Sequence, residues 1–175
     1  MQAVAAHRTW WATDLARAVM AAGNSSLTYL AAALLCVAFG WRFHAWRPAV
    51  AAPLAAVLAL VLALAAKSLF DRPRPPESLA LATEASSAMP SSIAAMTAAA
   101  ATPVILAGLR MRNRTGRVLV WLLALATLGI GVSMVYLGAH WLSDVLVGWL
   151  VGAGVGAVVF RLIAGPTRDP TRLRR

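Results

Sequence analysis

The sequence predicts an all-α protein: a polytopic membrane bundle of about five transmembrane helices, preceded by an interfacial amphipathic helix. Three observations predict it. Hydrophobic residues make up 61% of the 175 residues and charged residues only 13%, against about 45–50% and about 25% in a soluble domain. The mean hydropathy is +0.73. The charge-free stretches match the roughly 20 residues needed to cross a bilayer core about 30 Å thick. An ordinary soluble domain and a disordered chain are both excluded.

The elements follow in chain order. Residues Thr9 to Ala22 mix Trp10, Trp11, Leu15, Val19 and Met20 with Asp14 and Arg17, directly after Arg8. That stretch is too short and too charged to span, and suits a helix lying on the membrane surface. Gly23-Asn24-Ser25-Ser26 then breaks and caps it. The internal charges and the lack of a small-residue cleavage site argue against a signal peptide. The expected spans are Leu27 to Trp41, extendable to Trp46 if Arg42 snorkels, then Ala49 to Ala66, Ser91 to Leu109, Val118 to Ala139, and Val145 to Gly165. In lipid every backbone group must pair internally, which leaves helices as the spanning element. Residues 1–175 therefore read as one membrane domain: interfacial helix and turn over 1–26, bundle over 27–165, basic tail over 166–175.

Two details bear on assembly. Cys36 is the single cysteine, so no intramolecular disulfide is possible. Gly148, Gly152 and Gly156 form a small-residue stripe in the fifth span, suited to close helix approach. It fits packing within the bundle, with a homodimer face as the alternative.

The net charge of +10 invites a nucleic-acid reading. Placing the charges along the chain removes it. Arg42, Arg47, Arg110, Arg112, Arg114, Arg117, Arg161, Arg168, Arg172, Arg174 and Arg175 fall on one side of the membrane. Arg8, Arg17, Lys67, Arg72 and Arg74 fall on the other, a split of eleven against five. Positive charge in short loops marks the cytoplasmic side. The other side, carrying Lys67 to Pro90 and Tyr136 to Asp144, is then extracytoplasmic. It also holds Asp14, Asp71, Glu77, Glu84 and Asp144. The basic balance reports topology and contact with anionic membrane lipids, not nucleic acid.

Three segments on the extracytoplasmic side carry candidate chemistry. In Lys67-Ser-Leu-Phe-Asp-Arg-Pro-Arg-Pro-Pro76, prolines stop the helix and stiffen the loop. Lys67 and Arg74 suit a phosphate, as point charge and forked donor; contact with headgroups is the plainer use. Pro90-Ser91-Ser92 suits a helix N-terminus, whose N–H groups and hydroxyls favour an anion or simply cap the helix. His140 and Asp144 are four apart and on a helix share a face. A carboxylate on one imidazole nitrogen frees the other as base or nucleophile. A metal site is disfavoured: His7 and His44 are the only other histidines, and no third ligand has suitable spacing.

Together these segments resemble the type 2 phosphatidic acid phosphatase family of membrane lipid phosphatases. Its signature is Lys-x6-Arg-Pro, then Pro-Ser-Gly-His, then Ser-Arg-x5-His-x3-Asp. Lys67-x6-Arg74-Pro75 matches the first, Pro90-Ser91 opens the second, and Ser133-x6-His140-x3-Asp144 keeps the frame of the third. The likeness covers roughly residues 10 to 163. It implies His140 as phosphoryl acceptor, Asp144 as its orienting carboxylate, and Lys67, Arg74, Ser91 and the backbone near Ser92 as phosphate ligands. It implies a lipid phosphate or polyprenyl (di)phosphate as substrate and no metal or other cofactor. The expected location is a bacterial plasma membrane. Members usually have six spans, and five are clear here.

The departures fall on the chemistry. Ser92 and Ile93 stand where the family has Gly and its general-acid His, and Met134 where it has a phosphate-binding Arg. A general acid contributes roughly 10²–10⁴-fold, and one charge-stabilising donor on the order of 10²–10³. The expectation is a phosphatase with reduced or lost activity. The alternative is an inactive lipid-phosphate-binding or structural membrane protein of the same fold.

Overall fold

The computed structural model describes residues 1–82, 84–111 and 113–164. The basic tail expected over 166–175 lies outside the described residues. A short helix α1 (Gln2–Ala6) precedes α2 (Trp10–Asn24), α3 (Ser26–Phe43), α4 (Trp46–Phe70), α5 (Ser92–Met111), α6 (Arg114–Tyr136) and α7 (Leu142–Ala164). A single 3-10 turn, Glu77–Leu79, interrupts the long connection between α4 and α5. No strand occurs among the described residues. Five helices, α3 to α7, are long and apolar enough to cross a membrane.

The hub is α5, which packs against α4, α6 and α7, while α4 also touches α7. Small residues repeated every fourth position make these approaches possible. On α4 the row is Ala51, Ala55, Ala59 and Ala63, all fully buried. On α5 it is Ala95 and Ala99, and on α7 the glycines Gly148, Gly152 and Gly156. A Cβ on Gly148 would lie 2.6 Å from the carbonyl oxygen of Ser91, and one on Gly156 would lie 2.7 Å from that of Ala99. The backbones of α5 and α7 therefore touch directly along this seam, as small-residue stripes allow. Helix α5 of the same chain fills the stripe, which is the packing within the bundle expected of it.

Each row ends in a polar residue of the same register. Four residues beyond Ala63 is Lys67, four before Ala95 is Ser91, and four before Gly148 is Asp144. The seam that packs the bundle thus aims these three side chains at one end of it.

Helix α2 lies against α6 through a buried face of Ala16, Met20 and Gly23. Its start meets Tyr136, through the Thr9 N–H and the Tyr136 hydroxyl at 3.1 Å. Its end meets Ile130, 3.0 Å from a Cβ placed on Gly23. Some 14 residues of α2, about 21 Å, thus pass only about 9 Å of α6 at 1.5 Å per residue. The helix crosses α6 obliquely, the attitude expected of an interfacial helix.

Several span boundaries shift from expectation: the second span runs Trp46–Phe70 and not Ala49–Ala66, and the fourth begins at Arg114 and not Val118. Two further shifts bear on the site. The fourth span ends at Tyr136, not Ala139, and the fifth helix begins at Leu142, not Val145. Between them Gly138 adopts φ +78, a conformation open to glycine, and the chain reverses over Leu137–Trp141. Apolarity continued through this turn, which is why composition alone ran the helix past it.

Gly152→Leu tests the seam. It forces side-chain atoms into the Ala95 backbone, and overpacking of this kind costs about 1–3 kcal/mol or more. The expected result is a lower thermal midpoint in detergent with no change in oligomeric state.

Candidate functional site

The polar residues gather where α4 ends, α5 begins and α7 begins. Lys67, 6% exposed, turns inward at the last turn of α4. Its ammonium donates to Ser86 Oγ at 3.3 Å and to the carbonyl of Ser87. Ser87 Oγ donates back to the Lys67 carbonyl at 3.1 Å.

Arg74 follows the α4–α5 connection inward. Its Nε donates to the Ser86 carbonyl at 2.6 Å and its Nη1 to the Ala139 carbonyl at 2.7 Å. Its Nη2 reaches Ser86 Oγ at 3.2 Å and pairs with Glu84 at 2.9 Å. Nη1 also stands 3.5 Å from His140 Nε2. Ser86 therefore bridges the two cations of the Lys-x6-Arg spacing, and Glu84 occupies the Arg74 fork.

His140 is 2% exposed and lies in the turn before α7. The expectation that His140 and Asp144 share a helical face is corrected: only Asp144 is on α7. The separation from His140 Nδ1 to Asp144 Oδ2 is 3.6 Å, just beyond hydrogen-bond range. Burial first, then the nearby charges of Arg74 and Lys67, hold the imidazole at about 3, well below its ordinary 6.5; the Ala88 carbonyl opposes this. The ring is neutral at physiological pH, with Nδ1 buried and unpartnered among the described residues.

Asp144, fully buried, spends its oxygens elsewhere. Oδ2 accepts the Trp141 backbone N–H at 2.9 Å, the carboxylate half of a capping box at the start of α7. Oδ1 accepts from Arg72 Nη1 at 2.7 Å. Arg72 also donates to Ser143 Oγ at 2.7 Å and lies 5.7 Å from the Trp141 ring centroid. Trp141 Nε1 donates to the Pro73 carbonyl at 3.0 Å. The α4–α5 connection is thus clamped onto the start of α7.

Ser91 is fully buried at the N-terminus of α5. Its N–H donates to the Asp144 carbonyl at 3.0 Å, and its hydroxyl accepts from Ala94 N at 3.4 Å. The same hydroxyl donates to Met134 Sδ at 3.4 Å. Ser92, half-buried, opens α5 and supplies no side-chain hydrogen bond among the described residues. Ile93 and Met134 are buried in one apolar cluster with Ala16, Met20, Ala94, Leu137, Ala139 and Val145. One flank of the site is therefore cationic and the other is dry hydrocarbon reaching to α2.

Sequence reasoning brought Lys67, Arg74, His140 and Asp144 to one place. It missed Arg72 as the partner of Asp144, and Glu84, Ser86 and Ser87 as partners of the cations. Arg72 and Glu84 carried a signal, as charges on the correct side. The serines' role depends on a loop path that no spacing rule describes.

This bundle, with its cationic end, is that of a PAP2-type membrane protein. The chain belongs to the PAP2 superfamily, whose family model matches residues 49–168. The structure is similar to the crystal structure of a transmembrane PAP2 type phosphatidylglycerolphosphate phosphatase from Bacillus subtilis. The two are 21% identical, with a TM-score of 0.79 over 95% of this chain and 84% of that one. At that identity the likeness shows the fold, and with the five apolar helices it makes this an integral membrane protein. No curated protein matches the chain.

The depressed His140 value carries a pH prediction. Unfolding lets the ring take a proton at its ordinary 6.5, while the folded protein resists until about 3. The folded state binds fewer protons, so stability rises with pH. This contribution is complete above 6.5 and is lost as pH falls from there toward about 3. Thermal midpoints of wild type and His140→Asn should converge across that window. Parallel curves would contradict a buried neutral imidazole.

Proposed function

We propose that this chain binds lipid phosphates through Lys67 and Arg74 beside His140, and hydrolyses them slowly. The observation that carries this reading is the division of the site. The cationic flank keeps the family's Lys, Arg and His, while the flank that should carry the second His and Arg is Ile93 and Met134, buried together.

The chemistry follows from the geometry. A neutral imidazole is the form that attacks phosphorus. Nε2 lies toward Arg74, and Nδ1 toward Asp144. A phosphoryl group held by Lys67 and Arg74 would meet Nε2; the N–P bond forms as the P–O bond to the lipid breaks. The Nδ1 proton turns to Asp144, which must yield part of its hold on Arg72 or Trp141. Water then cleaves the N–P bond and restores the imidazole. The departing lipid alkoxide needs a proton that Ile93 cannot give, so it must draw on water. A diphosphate, whose leaving group is itself a phosphate, suits this site better than a monoester.

Two features lower the rate. Loss of the general acid removes roughly 10²–10⁴-fold. Loss of the third-motif guanidinium removes on the order of 10²–10³, less if the two act as a unit. The charge distribution further supports a site on the extracytoplasmic face of the membrane, with the C-terminus in the cytoplasm. Protease added to intact cells should spare a tag placed after Arg175.

Two substitutions test the reading. Ile93→His with Met134→Arg should raise phosphate release from lipid mono- and diphosphates by at least about 10²-fold. It should also lower stability, because polar groups replace apolar ones in the cluster shared with α2. Release that stays at the blank in a folded double variant refutes the site. Separately, Glu84→Gln frees the Arg74 fork and removes a negative charge that opposes phosphate. Vanadate or phosphate should then stabilise the protein at lower concentration, and Arg74→Ala should abolish the effect.

A further inference from the structure

At the end of the bundle opposite His140, the α3–α4 junction and the ends of α5 and α7 line a half-open, mostly apolar pocket of about 550 Å³ with a basic edge. His44, Arg47 and Arg110 line it, with Phe39, Phe43 and Phe160 as its aromatic wall. The Arg110 guanidinium lies 5.0 Å from the Phe160 ring centroid, and Arg42 lies 5.4 Å from that of Phe43. A guanidinium laid against an aromatic ring keeps its N–H edge free for a planar or tetrahedral anion. Among the described residues no carboxylate pairs with Arg42, Arg47 or Arg110. The described acids on α4 to α7 and their connections, Asp71, Glu77, Glu84 and Asp144, are all at the other end. The cations beside His140 are satisfied internally, whereas these have no carboxylate partner among the described residues.

Phe39 and Phe43 also line a neighbouring apolar groove of about 590 Å³. It runs between α3 and the α5–α6 pair, past Cys36, Thr97 and Ala126, to Tyr29 and Ile130. From Phe43 to Tyr29 is 14 residues of α3, about 21 Å, more than half of a bilayer core about 30 Å thick. The groove has few polar atoms to hold water, and α3 leaves it open because it packs mainly on α4.

From these two features we infer that the protein carries a second, non-catalytic lipid site. Its occupant is an anionic glycerophospholipid, with the phosphate on Arg47 and Arg110, Arg42 at the groove mouth, and one acyl chain along α3. Basic pockets between transmembrane helices are suited to such headgroups, and the chain supplies the wall that α3 lacks. This site does not depend on the proposed hydrolytic reading.

The test uses the full chain in detergent, with retained lipid measured by native mass spectrometry. The probes are dioleoyl phosphatidylglycerol, dioleoyl phosphatidylcholine and chainless glycerol 3-phosphate. Phosphatidylglycerol should be retained about tenfold more strongly than phosphatidylcholine. Arg47→Ala with Arg110→Ala, both exposed positions, should erase that preference. Ala126→Phe, which fills the groove, should weaken retention of both lipids. Arg74→Ala, at the opposite end, should leave phosphatidylglycerol binding intact. Equal retention of the two lipids, no effect of the double arginine variant, or loss of binding in Arg74→Ala would each overturn the inference. So would glycerol 3-phosphate binding as tightly as the lipid, which would leave a phosphate site with no chain.

Discussion

The direct backbone contact between α5 and α7 is the constraint on which the rest depends. Glycine at 148, 152 and 156 lets α7 rest on the carbonyls of Ser91, Ala95 and Ala99. Alanine at 51, 55, 59 and 63 brings α4 to the same seam. Inside a bilayer there is no hydrophobic drive between helices, so close packing of small residues has to supply the association. Because Lys67, Ser91 and Asp144 continue those rows, the seam that holds the helices together also sets the spacing of the polar end.

That arrangement explains why the site is a place of competing claims. Asp144 is shared between Arg72, the start of α7 and a histidine it does not quite reach. Arg74 is divided among two carbonyls, a serine and Glu84. Buried charges need such partners, since desolvation without them is costly. Any anion entering must replace contacts of equal quality, so its affinity is a difference and not a sum.

Much of this was legible in the sequence. Five apolar runs and their charge asymmetry specify a bundle, and the Lys67, Arg74, His140 and Asp144 spacings place its polar end. The glycine row was visible, though not which helix would fill it, because spacing does not name a partner. Equally visible, and unread, was the alanine row that continues into Lys67. The partners of the cations were not legible. Carbonyls of Ser86, Ser87 and Ala139 become ligands only once the connection has taken its path, and every residue has a carbonyl. The turn over Leu137–Trp141 was hidden for a related reason: the apolar run continues through Ala139, and only Gly138 and His140 interrupt it.

The loose attachment of α3 has a consequence for how this chain can change over generations. In its most apolar window only 6% of α3 is buried within the protein, and Gly40 is its one buried residue. Its side chains answer to the surrounding lipid more than to neighbouring helices. Apolar replacements along most of its length leave the seam and the polar end untouched. The family match begins after it, at residue 49. Among the described spans it is therefore the one whose side chains the packing of the bundle constrains least, free to be refitted to a different membrane while the interior stays fixed.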